Sequence, residues 1–512
     1  MSEFSYDEVP YPSYTFPQTS PDRLATLATL FGMKPAPPRQ CRVLEVGCGD
    51  GANLLSHAFM YRDSEFVGID LSNVHVSGAN TAKAELALSN VRFEQIDIMA
   101  FDVEKFGTFD YVIAHGVFSW VPAAVRDKLL RIYSTGLTPQ GVGYISYNAY
   151  PGCHLRQIVW DMLRFHTKDE LDPLAKVEKG RSLLDFICAS MPPDSIYKEM
   201  MKHEAEGVAG RSIENILHDD LSSENQPFYL YEFEELAREK GLVYIADADP
   251  MGLGDGNLTR NISSSIDSLS GDPAIRRQYL DFIEFTRFRS SLVCREDASP
   301  ASGPQVDAVS RLYIVSQVSP VSSEPDVIGE KSEAFRGPKG GSFESNHPLT
   351  KAVMLTLERT WPKPVSFDDL LEGSCKTLGN TVEDVEPFDV LRMQTFLLEL
   401  YKYGFTKMHV HELEFAAALS ERPEASSFAR WQALRGGKAV MTMAGLNIEL
   451  EFDVVRELLL LLDGTRRIDE LTEVLASQLT APLSEREAML EHLPEMINQN
   501  LTKMAEWGLL VG

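Results

Sequence analysis

Residues Cys41 to Gly51 read CRVLEVGCGDG, and FVGIDLS follows at Phe66 to Ser72. Val43, Leu44 and Val46 form a short apolar run with a carboxylate, Glu45, near its end, and the run breaks into Gly47, Gly49 and Gly51. This is the pattern of a buried parallel strand entering a tight glycine turn, where the backbone takes conformations a side chain forbids and a ligand approaches the main chain. The next helix is expected to begin near Ala52 and Asn53 with its amide donors facing that ligand. Gly47, Gly49 and Ala52 alone also satisfy the dinucleotide fingerprint. Three details favour a different ligand: Glu45 just before the first glycine, Gly51 completing E-x-G-x-G-x-G, and Asp97 closing a third strand-like segment, VRFEQID. A buried carboxylate suits a ligand with an ammonium end better than a pyrophosphate, which like charge would repel.

Together these residues resemble the class I S-adenosylmethionine-dependent methyltransferases, over roughly the first three hundred residues. Strand-like segments at Arg42–Val46, Glu65–Asp70, Val91–Ile96, Tyr111–His115 and Val142–Tyr147 alternate with amphipathic stretches such as Ala123–Thr135, whose Val125, Leu129, Leu130 and Ile132 share a face. That alternation predicts a doubly wound parallel α/β sheet with its site at the strands' carboxyl ends. Helical sequence from His154 to His218 interrupts it, Phe233–Pro250 supplies a sixth helix–strand unit, and FRSSLVCRE reads as a final antiparallel strand. The resemblance implies a Rossmann-like, seven-stranded methyltransferase sheet. The expected layout is an N-terminal cap segment at 1–40 and a cofactor-binding domain at 41–296 with helical insertions at 153–232 and 249–287. A separate helical domain between Pro151 and Arg295 is the alternative.

Asp297–Pro304, DASPASGP, opens a stretch read as a linker to residue 347, within which a strand-like RLYIVSQV precedes a Gly-, Pro- and Ser-rich segment, Pro320 to Pro348. From there an α+β region runs to residue 512. Helices KAVMLTLERTW, SFDDLLE and VLRMQTFLLELYKYGF precede an alternating strand, FTKMHVHELEFA, an order that resembles a winged helix. AVMTMAGLNIELE and further helices to Trp507 complete it.

Against 48 lysines and arginines stand 75 acids, a formal charge of -27. A duplex-binding protein must offset phosphate charge, so nucleic acid is not the expected partner, and the winged-helix-like region reads as a surface for protein contact or homodimer formation. Acidity of this size fits a basic partner or serves solubility. The six cysteines are scattered without a CxxC pair, as in a reduced, cytoplasmic protein. The first residues lack the apolar core of a signal peptide, and no apolar run reaches bilayer length, so no membrane insertion is expected.

What the methyltransferase resemblance implies for the site begins with the cofactor. The turn Gly47, Cys48, Gly49 and Gly51 passes under the methionine part, with Asn53 at the helix start, and Glu45 helps to hold the amino group. Asp70, followed by Leu71 and Ser72, accepts from the ribose hydroxyls, since a carboxylate offers two acceptors to a vicinal diol. Asp97 and the Ile98 backbone meet the adenine, and His115 closes the set. Methyl transfer is an in-line displacement, so the acceptor must be held in place and stripped of water; proximity and orientation supply on the order of 7–11 kcal/mol. An amine acceptor must first lose its proton, which an apolar site with carbonyl or phenol acceptors favours.

Two loops could provide that environment. HGVFSWVP gives His115, Phe118, Ser119 and Trp120, and YNAYPG gives Tyr147, Asn148, Tyr150, Pro151 and Gly152. Aromatics there can enclose a methylene chain and bind a cation on their faces. His115, Tyr147, Asn148 and Tyr150 are the catalytic candidates, and Tyr11, Tyr14, Phe118 and Trp120 the substrate-binding ones. His115 serves as a base or as a positioned hydrogen-bond donor, and Asn148 either orients the amine or caps the next helix. The N-terminal segment with Tyr6, Tyr11 and Tyr14 either folds over the cofactor mouth or packs on the surface.

PYPSYTFPQTSPDRLATLATLFGM, HGVFSWVP and SYNAYPG in one chain resemble the bacterial methyltransferases that carry a regulatory domain, a group that includes lysine methyltransferases acting on rickettsial outer-membrane proteins. The resemblance implies methylation of lysine in a protein or peptide substrate, with S-adenosyl-L-homocysteine as by-product. Cys153 stands where that group favours an aromatic, which bears on the substrate and not on the cofactor site. A small-metabolite methyltransferase and a catalytically silent binding protein are the rival readings. His409 and His411, beside Glu412 and Glu414, look like a metal pair, but no further ligand has suitable spacing, so an exposed ribbon without metal is expected.

Overall fold

Strand β1 (Arg42–Val46) buries Val43, Leu44 and Val46 completely, as apolar residues on both faces require of a strand covered on both sides. The computed structural model describes residues 7–11, 14–253, 260–450, 453–478 and 483–512. They fall into two units: Met1–Tyr14 with Met33–Ala58 and Arg62–Ser302, and Thr15–Gly32 with Phe59–Tyr61 and Gly303–Gly512. The first forty residues, read as one cap segment, are therefore divided between the units.

In the first unit β1 joins β2 (Glu65–Asp70), β3 (Val91–Gln95), β4 (Phe109–Ala114), β5 (Leu137–Asn148), β6 (Leu242–Asp247) and β7 (Phe288–Arg295) in the order β3-β2-β1-β4-β5-β7-β6. The first five strands are parallel, and β7 is antiparallel to both β5 and β6. This is the seven-stranded Rossmann-like arrangement expected from the sequence. Strand order reverses between β1 and β4, which opens a crevice at their carboxyl ends. Phe109, Phe118, Tyr133, Tyr147 and Phe233 fill one side of the sheet.

The helical insertion after β5 comprises Cys153–Thr167, Pro173–Ser190 and Ile196–Ala209, packed through Val159, Leu163, Val177, Leu184, Met201 and Val208. Asp172 caps the second of these by accepting from Ala175 N, with Pro173 at the first helical position. The insertion ends in a π-helix, Ile216–Asp220, in which Leu221 N reaches back to Ile216 O. A second insertion carries the helices Arg260–Leu269 and Pro273–Glu284. Arg289 of β7, 7% exposed, is held by Asp281 of the latter (Nε–Oδ2 2.9 Å, Nη2–Oδ1 2.6 Å) and by Asp247 of β6.

The second unit departs from expectation in three places. Within residues 297–347, the strand-like RLYIVSQV forms the strand Tyr313–Val315, which pairs with Val365–Ser366 and Lys407–His409, but the Gly-, Pro- and Ser-rich remainder is not a bare linker: it carries a three-stranded antiparallel sheet of Ser319–Pro320, Glu333–Arg336 and Ser342–Ser345. Buried Phe335 stacks on Phe343 there, and two aromatics in a Gly- and Ser-rich context suffice to fix a short sheet. The strand expected over FTKMHVHELEFA is confined to Lys407–His409. Nor are the histidines an exposed ribbon: His409 is 8% exposed, its Nδ1 lies 2.7 Å from Asp22 Oδ2, and His411 Nε2 lies 3.7 Å from Asp22 Oδ1. Asp22 comes from the N-terminal helix Pro21–Leu30, which covers that strand. Among the described residues no cluster of histidine, cysteine, aspartate and glutamate could hold a metal ion. Ser20 precedes that helix, but its hydroxyl does not cap it.

Candidate functional site

The glycine turn is built against β2. Gly47 N and Cys48 N both donate to Ile69 O (2.8 and 3.0 Å), so these two amides close the turn and do not face a ligand. A Cβ on Gly47 would lie 2.6 Å from Val117 Cγ2, whereas one on Gly49 would meet nothing within 4 Å. Gly49, with φ +55, thus borders open space at the head of the crevice, in a backbone conformation that favours glycine.

Asp70 is fixed from both sides. Gly49 N donates to Oδ2 and Ser72 N to Oδ1, each at 2.9 Å. Each carboxylate oxygen then holds one amide and keeps acceptor capacity for a hydroxyl, which is the requirement of a vicinal diol. Ser72 is buried and caps the helix Asn73–Glu85 by accepting from His75 N, while Leu71 is exposed. Asp97, exposed, accepts from Met99 N and starts a short turn containing half-buried Ile98.

Glu45 is 3% exposed; Oε1 accepts from Asn53 Nδ2 at 2.7 Å, and Oε2 is buried with no hydrogen-bond partner among the described residues. Burial pushes its carboxyl up to about 8, Asn53 opposes that, and Asp70 and Asp50 add to it. A buried acid of this kind is incomplete without a cation or donor, and the ammonium end of S-adenosylmethionine supplies one. The residues present therefore fit that cofactor.

A strap from Asp7 to Tyr11 crosses this region. Ser72 Oγ donates to Asp7 Oδ1 at 2.5 Å, His218 Nε2 lies 2.7 Å from Val9 O, and Tyr11 O–H donates to the Asp219 carboxylate at 3.3–3.4 Å. Pro10 and Tyr11, with Asp50 of the glycine turn, Val74, His75, Gly78 and Glu214, enclose a cavity of about 430 Å³. Tyr14 is exposed.

The acceptor loops divide into core and mouth. Tyr147 and Phe118 are fully buried among Phe228 and Phe233, with the Tyr147 hydroxyl 3.1 Å from Ser291 Oγ. Alternation along β5 sends Tyr147 to the opposite face from Ser146 and Asn148, so neither aromatic lines the mouth. Trp120 is half-buried, its indole nitrogen without a partner among the described residues. His115 Nδ1 lies 2.9 Å from Tyr144 Oη, which donates to Ser290 Oγ at 3.0 Å. Burial lowers the His115 imidazole to about 4, so it is neutral at neutral pH. Asn148 does not cap the following helix; its Nδ2 donates to Asn225 Oδ1 at 2.8 Å. Tyr150 accepts from Gln157 and stacks on His154 with ring centroids 4.2 Å apart. Cys153, which replaces the expected aromatic, is buried and donates to Arg287 O.

Sequence reading missed Asn225, Asp219, Tyr144 and Tyr229. The three from the insertion and its following segment reach the mouth only through tertiary folding. Tyr144 was legible as strand, but its hydroxyl contact was not.

Residues 38–207 match the family described as methyltransferase domain, residues 212–295 the predicted methyltransferase regulatory domain, and residues 421–509 the PKMT C-terminal winged helix domain. The matched winged helix lies within the C-terminal region expected to be winged-helix-like, beyond the helices from 348. A Rickettsia prowazekii (strain Madrid E) protein, uncharacterized protein RP789, is 35% identical over 382 residues, covering 73% of this chain and 69% of its own length. The solved structure of PKMT2 from Rickettsia typhi in complex with AdoHcy is 26% identical, with a TM-score of 0.85 over 98% of this chain and 100% of that one. A second structure of PKMT2 from Rickettsia typhi gives 27% and 0.86. The chain belongs to the S-adenosylmethionine-dependent methyltransferases that combine a methyltransferase domain, a regulatory domain and a PKMT-type winged helix.

Proposed function

We propose that this methyltransferase modifies the side-chain amine of lysine in a protein substrate. The observation that carries the reading is an exposed aromatic run leading away from the mouth. Tyr150 packs on Tyr229 (5.0 Å between centroids), which stacks on Tyr231 (5.5 Å) and meets Phe282 edge-on (5.9 Å). Tyr231 and Phe282 remain 50% and 48% exposed. A closed metabolite pocket has no use for such a surface, whereas a polypeptide with a cationic side chain can lie along it. The likeness to PKMT2 over 98% of the chain supports the same reading.

Bound S-adenosylmethionine supplies a methyl group on a sulfonium. Glu45 holds its ammonium end, the Gly49 segment lies along its methionine part, Asp70 takes the ribose diol, and Asp97 with Ile98 meets the adenine. The strap through Asp7 and Tyr11 excludes water. Neutral His115, Asn148 and Tyr150 surround the acceptor, and none of them brings a cation that would disfavour an amine there. Exposed Phe165, Leu171, Phe186 and Ile196 on the first helical insertion support a homodimer. Six free cysteines and the net charge of -27 support a cytoplasmic setting without nucleic acid as partner. No described helix is long and apolar enough to cross a membrane.

Radiolabelled methyl transfer to a panel of basic proteins tests the reading. Label on protein that survives acid and base, and maps to lysine, is expected; label only in a metabolite extract would overturn it. Light scattering on the purified chain tests the dimer.

A further inference from the structure

Asn148 is held on three sides by its own surroundings. Its backbone N–H donates to Ser119 Oγ at 2.9 Å, its carbonyl accepts from Phe228 N at 3.0 Å, and its side-chain Nδ2 donates to Asn225 Oδ1 at 2.8 Å. Asn225 in turn donates through Nδ2 to the backbone carbonyl of Asp219 at 3.1 Å. A backbone carbonyl can only accept. The amide nitrogen of Asn225 must therefore face Asp219, its oxygen must face Asn148, and the nitrogen of Asn148 must face Asn225. Asp219 O thus removes the usual ambiguity of both amides in sequence. One consequence follows for Asn148: its Oδ1 is turned away from Asn225, and no described residue donates to it.

We infer that Asn225 is a positioning residue for methyl transfer, fixing the Asn148 amide so that its oxygen accepts a hydrogen from the acceptor nitrogen. The inference rests on the proposed lysine acceptor and deepens it. An oxygen held in that sense binds an N–H and cannot donate to the nitrogen, so it constrains the amine without occupying its lone pair. The inverted amide would present two donors to the same nitrogen and compete for that lone pair. The same segment ties the two mouth loops together: Gln226 N donates to Ser119 O at 2.8 Å, and Tyr150 N donates to Phe228 O at 3.0 Å. Asn225 is thereby placed by backbone bonds on both sides of the mouth.

Two substitutions separate positioning from mere support. Asn225→Leu removes both partners, while Asn225→Asp keeps the oxygen that Asn148 Nδ2 needs and sets a second acceptor oxygen against Asp219 O in place of the donor. Each variant is assayed with a lysine-bearing acceptor protein, with cofactor binding followed by calorimetry and folding by thermal melting. Asn225→Leu is expected to lower kcat roughly 10- to 100-fold, the cost of a misplaced acceptor, with cofactor affinity unchanged. Asn225→Asp is expected to recover most of that rate although its melting temperature falls as far. Full kcat in Asn225→Leu, or equal losses in both variants that track their melting, would overturn the inference. If the wild-type chain methylates a metabolite and not lysine, the lysine reading fails, and the same pair of variants on that acceptor still decides the role of Asn225.

Discussion

Asn53 Nδ2 donates to Glu45 Oε1 at 2.7 Å and leaves the second oxygen of that carboxylate buried without a partner among the described residues. An acid raised from 4.5 to about 8 on folding costs the ligand-free protein stability as pH climbs between those values, because only the unfolded chain ionises there. A bound ammonium reverses the balance. Cofactor affinity should therefore rise as pH approaches about 8 and fall above it, where the ligand's own α-amino group, with a pKa of about 8, loses its proton. Calorimetry on both sides of that value checks this, and Glu45→Gln should bind more weakly without the rising limb.

The Asp70 carboxylate, braced by Gly49 N and Ser72 N, is expected to carry the ribose end of the cofactor. Asp70→Ala should weaken cofactor binding by about 1.5–3 kcal/mol, the range for hydrogen bonds to a charged group. Unchanged affinity in the same calorimetric assay would refute this assignment.

Arg289→Met leaves Asp247 and Asp281 facing one another in a buried site. Removing one member of such a network costs about 3–5 kcal/mol, so the urea midpoint of the first unit should fall sharply. A variant that unfolds with the wild type would show the network to be dispensable.

In the second unit, burial raises the Asp22 carboxyl, but the charges and hydrogen bond of His409, with His411 and Val410 N, outweigh it and hold the group below 3.8. A depressed acid contributes stability that is present above its unfolded value and is lost as pH falls through the folded one. Asp22→Asn should flatten that acid limb and lower stability by about 1–3 kcal/mol. Hydrogen exchange at Lys407–His409 reports on it locally.

Much of the cofactor crevice was legible because its determinants are local. An apolar run with Glu45 near its end and three glycines specifies strand and turn within a few residues; Asp70 ends β2, and Asp97 lies two residues beyond β3. The acceptor side was not, for three separate reasons. Tyr147 sits near the end of β5, and only the register of that strand decides that it faces the core; Phe118 lies in a short turn after β4, and its inward packing depends on Phe228 and Phe233, more than a hundred positions later. Asn148 meets Asn225 across 77 positions, with nothing in the local sequence to announce the pairing. His409 looked exposed because its cover, Asp22, lies 387 positions earlier.

The turn at Ile216–Asp220 accommodates one residue more than a regular helix would. Through that surplus, three successive side chains serve four different neighbours: His218 holds Val9, Asp219 holds Tyr11, and Asp220 takes Arg211 and Trp160. Loss of a single codon here would restore regular winding, swing all three out of phase, and release the N-terminal strap together with Arg211. Length at this point, more than the identity of any one amino acid, is what descendants of the chain must preserve.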